Sequence, residues 1–432
     1  MSRVQYYGPC TNLQNTDTGN RTLLAIGHVW PEPQSSAAGG HMLFLLRMFR
    51  DRGYRVVFAC SAQRSAHMAD LEKENIQGAD ILLNDSGFDT FVSGLRPDIV
   101  LFDRFMTEEQ FAWRVEQACP DALRILDTED LQCLRKARWQ ALKENRPLQR
   151  EDLFSDLARR EIAAILRSDL SLIISDHEVR LLQDTFRVDP VLLHHLPFMV
   201  DLKHLPPSGK AFSRRRHFAI IGNFRHPPNW DAVLYLQQVW PLIRKVLPDT
   251  ELHIYGAYPP KKAMALDNPR TGFRIRGWAD DAHAVLSDAR VCLAPLRFGA
   301  GIKGKLLDAM LAGTPSVTTD IGAEGMSGGL PWPGSIASGA EEIARAAISL
   351  HENEDLWQDC RQRIHPLISK CYNSQVLADG VMDHIENIRS DLKRHRLNNF
   401  TGAMLRHHSM KSTEYLSRWI EAKNALDDAG KP

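Results

Sequence analysis

Short apolar runs of strand length alternate with helix-patterned segments through most of this chain, and the alternation runs twice. TLLAIGH (22–28), YRVVFAC (54–60), ADILLN (79–84), DIVLFD (98–103), ALRILD (122–127) and LSLIISD (170–176) form the first series. Their near-continuous Val, Ile and Leu content is the pattern of strands buried on both faces. Between the first two lie Met42, Leu43, Leu45, Leu46, Met48 and Phe49 at helical spacing, ended by Gly53. Strand, helix, strand in that order requires a crossover, and therefore a parallel sheet covered by helices. Residues 202–216, LKHLPPSGKAFSRRR, interrupt the series and read as a solvated linker rather than a phosphate patch. The series then restarts with HFAIIGN (217–223), a helix from about 229 to 246, and TELHIYG (250–256). RIRGWAD (274–280), VCLAPL (291–296), a helix after Lys303 and PSVTTD (315–320) follow, and helices over about 340–396 are expected to close this second unit.

The α/β class follows: two Rossmann-like parallel-sheet domains facing across a cleft, with ligands beyond the carboxyl ends of the strands. The boundaries read from the pattern are a polar leader over 1–21, a first domain over 22–205, a second over 206–375, a closing helix over 376–396 and a helical tail over 397–432. Fifty-three basic residues balance 53 acidic ones, so no global field draws the chain to nucleic acid. The seven widely spaced cysteines suit a reducing compartment, and no signal-like or membrane-spanning run is present, which points to the cytoplasm. Peripheral membrane attachment stays open, because no basic amphipathic helix stands out. The histidines are scattered without metal-ligand spacing and no clustered carboxylates suit Mg²⁺, so neither a metal nor a cofactor is expected.

One stretch carries chemistry. In PLRFGAGIKGKLLDAM (295–310), Gly299, Ala300 and Gly301 precede Ile302, Lys303, Gly304 and Lys305, then Asp308, and the segment enters a helix. A glycine turn brings backbone N–H groups close to a ligand, and a helix start favours negative charge. Lysine adds a point charge, and an acid one turn in accepts hydrogen bonds from sugar hydroxyls. Together they suit a nucleotide-sugar, with diphosphate on the turn and ribose on the carboxylate. The bland alternative is a turn feeding a surface helix with solvated lysines.

With IIGNFRHPPNWDA (220–232), HIYGAYP (253–259), IRGWADD (275–281), LPFMVD (196–201) and the segment from 295 to 326, the chain resembles a two-domain GT-B glycosyltransferase of the retaining, glycogen-synthase-like group often called family 4. The resemblance spans roughly 22–395 and is strongest over 217–326. It implies a nucleoside-diphosphate sugar on the second domain, an acceptor (glycan, lipid-linked sugar or protein) on the first, and metal-independent transfer with retention. Asp308 falls at the second acid of the family's paired-acid element, the ribose ligand. Ala300 stands where the first acid belongs, leaving Asp281 or Glu324 to reach in. Gly222 matches the glycine that lets the first donor-domain loop approach the diphosphate, with Gly256 on the neighbouring loop. Asn223 and Asn229 replace the family's arginine and lysine there, so Arg225 and Lys303 or Lys305 are assigned the leaving diphosphate, whose growing charge pre-placed cations stabilise.

In the first domain, Gly39 and Gly40 match the family's glycine-rich first loop against the phosphates, or else simply open a helix. His41 could face the cleft. No histidine stands after the fifth strand; Glu129 occupies its place between Asp127 and Asp130, either as a carboxylate orienting acceptor or donor or within a helix-capping cluster. Ser175 and Glu178 read as a capping box in preference to cleft residues. A nucleotide-sugar epimerase or hydrolase of the same fold, and a non-catalytic binding subunit, are the competing readings.

Overall fold

The computed structural model describes residues 21–205 and 209–429. The expected leader, apart from Arg21, and the centre of the expected linker lie outside the described residues. The first domain contains Thr22–Gly27 (β1), Arg55–Cys60 (β2), Gln77–Asp80 (β3), Ile99–Asp103 (β4), Leu123–Asp127 (β5), Leu170–Ile173 (β6) and Leu193–His195 (β7). They form one sheet in the order β3-β2-β1-β4-β5-β6-β7, with every pair parallel. The second holds His217–Ile221 (β8), Leu252–Tyr255 (β9), Phe273–Gly277 (β10), Ala289–Ala294 (β11), Ser316–Thr318 (β12) and Gly334–Ile336 (β13). Its order is β10-β9-β8-β11-β12-β13, again all parallel.

Helices cover both faces, so the central strands are buried throughout: every residue of TLLAIG in β1 and of IVLFD in β4 is inaccessible to solvent or nearly so. The order in which successive strands join each sheet reverses beside β1 and β8, where crossovers diverge to opposite faces and leave a crevice. The two crevices face each other. The described cysteines are all free, and Cys60, Cys133, Cys292 and Cys360 pack as small buried side chains.

Three expectations change. The apolar run 79–84 predicts the third strand there, but β3 ends at Asp80, leaving Leu82 and Leu83 exposed. Among the described residues its ladder partner is β2, whose last residue, Cys60, pairs with Asp80, and the ladder closes with Ile81 N donating to Cys60 O (3.1 Å). The three-residue strands β7 and β13 sit at sheet edges and are too short to show a period. The helices after 372 do not close the second unit. The helix Ser374–Ser390 returns to the first domain, where Ala378, Val381, Met382, Ile385 and Ile388 join Leu46 and Phe49 in one core. The crossing is pinned by Val200, whose N–H donates to Tyr372 O (2.7 Å) and whose carbonyl accepts from Ser374 N (3.0 Å). The helix Phe400–Ala429 then packs on Arg104–Ala118 and Asp156–Arg167.

Candidate functional site

A cleft of about 1240 Å³ lies between the domains, lined by residues that directly follow strand ends. His28 follows β1, Arg104 follows β4, Glu129 lies just past β5, Gly222 follows β8, Gly256 follows β9 and Trp278 follows β10. Of the residues singled out in the sequence, Gly40, His41, Glu129, Gly222, Asn223, Arg225, Gly256, Gly299, Ile302, Lys303, Gly304, Lys305 and Asp308 line it. Asp308 and Lys303 therefore face the crevice and not the outer surface.

The 295–310 segment forms a turn and then the helix Gly304–Leu311, with Lys303 at the N-cap. Lys303 is only 6% exposed, and its Nζ donates to Gly301 O (2.6 Å). Burial lowers its pKa, with Glu324 opposing the shift and Arg138 reinforcing it. Burial brings Lys305 down to about 8, against the pull of Cys292 and Asp308. Asp308 is pushed up to about 6 by burial, with Lys305 working the other way. Lysine and aspartate one helical turn apart thus hold opposite charges close to their switching points.

Two expected ligand residues are placed elsewhere. Gly301 does not line the cleft; it sits at φ +62°, where a Cβ would come within 2.9 Å of Asp130 Cβ and 3.1 Å of Ile174 Cγ2. Its N–H donates to Glu178 Oε1 (2.8 Å), which also accepts from Leu131 N (3.1 Å). Its glycine is required by contact with the other domain. Gly39 is likewise behind the cleft wall: a Cβ there would meet the Glu32 backbone at 2.5 Å, and its N–H is taken by the Ser36 N-cap hydroxyl (3.0 Å). Gly304 lines the cleft, yet its added Cβ would lie 2.3 Å from Ala37 Cβ of the first domain.

The β8 loop explains its two asparagines. Asn229 Nδ2 donates to Asn223 O (2.9 Å), and Asn223 Oδ1 accepts from Arg225 N (2.8 Å). They fix the loop's shape, while Gly222 and Gly256 pack so closely that a Cβ on Gly256 would meet Gly222 O at 2.0 Å. Arg225 is exposed at the rim, its guanidinium stacked on the Tyr258 ring at 3.7 Å.

Across the cleft, the capping alternative for the acids fails. The first amides of the helix Gln132–Lys143 are satisfied by other elements: Glu161 accepts from Gln132 N (2.9 Å) and Cys133 N (2.9 Å). Ser175 makes no side-chain cap bond either, so the expected capping box with Glu178 is replaced by Glu178's bridge to Gly301. Glu129 and Asp130 line the cleft instead, Asp130 paired with Arg135. Glu129 adopts φ +60°, a strained backbone for a side chain of its size. Burial raises its pKa, Asp127 adds to the rise, and His41 and Arg104 oppose it. Asp127 is raised as well, by burial and by Asp103. His41 is buried with both ring nitrogens unpartnered, its Nε2 3.8 Å from Asp127 Oδ1, and burial lowers its pKa. Arg104, also left-handed at φ +69°, keeps its charge: burial opposes it, but Asp103, Glu129, Asp130 and Asp127 outweigh burial.

Arg104 was missed in the sequence; its signal is a cation directly after a buried strand. Of the two substitutes for the absent first acid, Asp281 lines the cleft and caps the helix Ala282–Asp288 through Ala284 N (3.1 Å). Glu324 is instead held by Arg138 of the first domain in a two-pronged pair (2.8 and 2.7 Å), with His177 Nε2 at 3.3 Å. Among the described residues, no group of three or more His, Cys, Asp or Glu is arranged to hold a metal ion.

Residues 215–353 match the family model "Glycosyl transferases group 1". Over 139 residues the chain is 30% identical to a protein of Klebsiella pneumoniae described as an uncharacterized 44.6 kDa protein in the cps region; the match spans 30% of this chain and 35% of that protein. Among solved structures, the Anabaena HepE complex with UDP and glucose superposes with a TM-score of 0.64 at 10% identity, covering 84% of this chain and 99% of that one. Sucrose-phosphate synthase from Thermosynechococcus elongatus gives 0.63 at 13% identity, covering 86% and 100%. A TarM variant of S. aureus, in complex with fondaparinux, alpha-GlcNAc-glycerol and UDP, gives 0.55 at 13%, covering 68% and 57%. The architecture is GT-B.

Proposed function

Taking residues 215–353 as a group 1 glycosyltransferase domain within a GT-B fold, we propose that the protein transfers a sugar from a nucleoside-diphosphate sugar to an acceptor hydroxyl, with retention and without a divalent metal. The observation that carries this reading is the single cleft in which Lys303, Lys305 and Asp308 of the second domain face Arg104, His41 and Glu129 of the first. Complexes with UDP among the structural neighbours favour a UDP-sugar donor, and the oligosaccharide bound to TarM favours a glycan acceptor.

The donor diphosphate lies on the free amides at the start of the helix Gly304–Leu311, beside Lys303 and Lys305, with its ribose on Asp308. As the bond from the anomeric carbon to the phosphate oxygen breaks, charge grows on the diphosphate. The two lysines and Arg225, swung from Tyr258, stabilise it. The acceptor oxygen bonds to the anomeric carbon and its proton passes to the departing phosphate oxygen. Glu129 and Arg104 orient the sugar or acceptor hydroxyls. Thermal-shift measurements with UDP-, GDP- and ADP-sugars, followed by product analysis with candidate acceptors, test this. A UDP-sugar is expected to raise the melting temperature and to be consumed; no response to any nucleotide-sugar overturns the proposal.

One observation favours the hydrolase or epimerase reading. Asp127, Glu129 and His41 supply buried acid–base groups opposite the donor site. Turnover undiminished by omitting the acceptor selects it. Donor binding without any turnover selects the non-catalytic subunit.

A further inference from the structure

The helix Phe400–Ala429 packs one side on the first domain and leaves an apolar stripe with no partner among the described residues. Phe400 (69% exposed), Tyr415 (66%), Trp419 (60%) and Leu426 (73%) stand on it with Met404. Their spacing of four, seven and eleven residues puts them on one face over the helix's length. Lys411 and Arg418 share that face, and the Lys423 ammonium sits at its edge, 5.5 Å from the centre of the Trp419 ring. The acids fall elsewhere. Glu414 is buried beneath, bonded to Lys411 and Arg418, and Glu421 points inward to accept from Ser86 N (2.8 Å). Asp427 lies about a third of a turn off the stripe. The anchor at Ser86 also brings the helix end beside the loop on which Leu82 and Leu83 are exposed.

Aromatic rings, aliphatic side chains and three cations, two of which share the one buried carboxylate of Glu414 and so leave the face net positive, match the boundary of an anionic phospholipid membrane. There, apolar groups enter the acyl region and Lys or Arg meets phosphate. A second copy of the chain fits worse. It would bring Lys411 and Arg418 against their own copies, with only the single Glu414 carboxylate beneath each pair to offset them. Among the described residues no helix is long and apolar enough to cross a membrane, so the contact is peripheral. We infer that the outer face of the helix Phe400–Ala429, with Leu82 and Leu83, seats this protein on an anionic lipid surface.

Co-sedimentation of the full chain with vesicles tests this, comparing pure phosphatidylcholine with vesicles containing about 30% phosphatidylglycerol. Binding is expected only to the anionic vesicles, weakened by added salt, and reduced by about tenfold in the Tyr415→Ser, Trp419→Ser double variant. Phe154→Ser, which removes an exposed ring elsewhere, is the control and keeps wild-type binding. An unchanged melting temperature in the double variant shows that the loss is one of docking and not of folding. No binding to anionic vesicles, or equal binding by the double variant, overturns the inference. Concentration-dependent self-association in sedimentation velocity that the double variant abolishes also overturns it, in favour of a second copy.

Discussion

At the scale of single residues, burial in the cleft moves the pKa of several ionisable groups toward neutrality. Lys303 is the sharpest case: an ammonium buried between domains with one carbonyl as its hydrogen-bond partner. Burying a cation without a full set of acceptors costs free energy, and binding sites commonly retain such costs for function. Lys303→Met is therefore expected to leave the melting temperature unchanged or higher, while transfer falls by more than about tenfold if the ammonium stabilises the leaving diphosphate. Near-normal transfer in the variant refutes that role. Asp308 and Lys305 set a pH window. The folded pKa of Asp308, about 6, lies above its ordinary 3.8, so protonation favours the fold; that stability is complete below 3.8 and lost as pH rises through 6. Ribose recognition runs the other way, because the ionised carboxylate is the stronger acceptor. Lys305, at about 8, loses its charge above that pH. Affinity for UDP, measured by calorimetry, is expected to peak between about 6 and 8, with the acid limb missing in Asp308→Asn. A flat profile removes both residues from the nucleotide site.

At the scale of elements, the glycine-rich turn answers to two neighbours at once. The sequence shows why glycines suit a diphosphate, but not that Gly301 and Gly304 also press against Asp130 and Ala37 of the other domain. Local propensity and tertiary contact therefore disagree at Gly304, which gives a clean test. Alanine at this first helical position is favoured over glycine by up to about 1 kcal/mol. Its Cβ, however, would lie 2.3 Å from Ala37 Cβ in the closed molecule. Gly304→Ala is expected to keep or slightly raise the melting temperature while weakening donor turnover by about tenfold through impaired closure. Equal turnover would mean that the domains need not approach this far. The same distinction governs what the sequence disclosed. Strands such as β1 and β4 were plain because burial on both faces leaves an unbroken apolar run. β7, β13 and the end of β3 were not, because a three-residue edge strand depends on its ladder partner and not on its own pattern. Gly222 was named through the family resemblance, whereas Asp308 and Lys303 were legible as cleft residues because a short segment contains both the turn and its charges. Arg104, Arg138 and Glu178 were not, since their partners lie on other elements, as Glu178 with Gly301 illustrates.

At the scale of the whole molecule, the described conformation is one in which the domains touch on both sides of the cleft. On one side, Arg138 grips Glu324 and donates to Gly299 O (2.8 Å), while Glu178 holds Gly301. On the other, Tyr258 OH donates to Glu32 (3.1 Å) and His67 stacks on Trp278 at 4.3 Å. The sequence pattern established two domains and a crevice, but amphipathic periodicity names the apolar face of a helix without naming what it meets. The return of Ser374–Ser390 to the first domain was hidden for that reason. With two crossings of the chain between domains, at Val200 and at Tyr372, closure amounts to a hinge acting against these few contacts. Arg138 carries the strongest of them: a two-pronged, largely buried pair with side chains 11% and 18% exposed. A charge-assisted pair of this kind contributes roughly 1.5–3 kcal/mol, enough to shift an open–closed equilibrium by about tenfold or more. Arg138→Ala removes the grip, together with its bond to Gly299 O, and leaves the Lys303, Lys305 and Arg225 side chains in place. Small-angle scattering should then show a larger radius of gyration in the free protein, recovering toward the wild-type value when UDP is added. Donor affinity should fall only by the fraction of molecules driven open. An unchanged scattering curve would show that the remaining contacts, Glu178 to Gly301 foremost, hold the cleft shut by themselves.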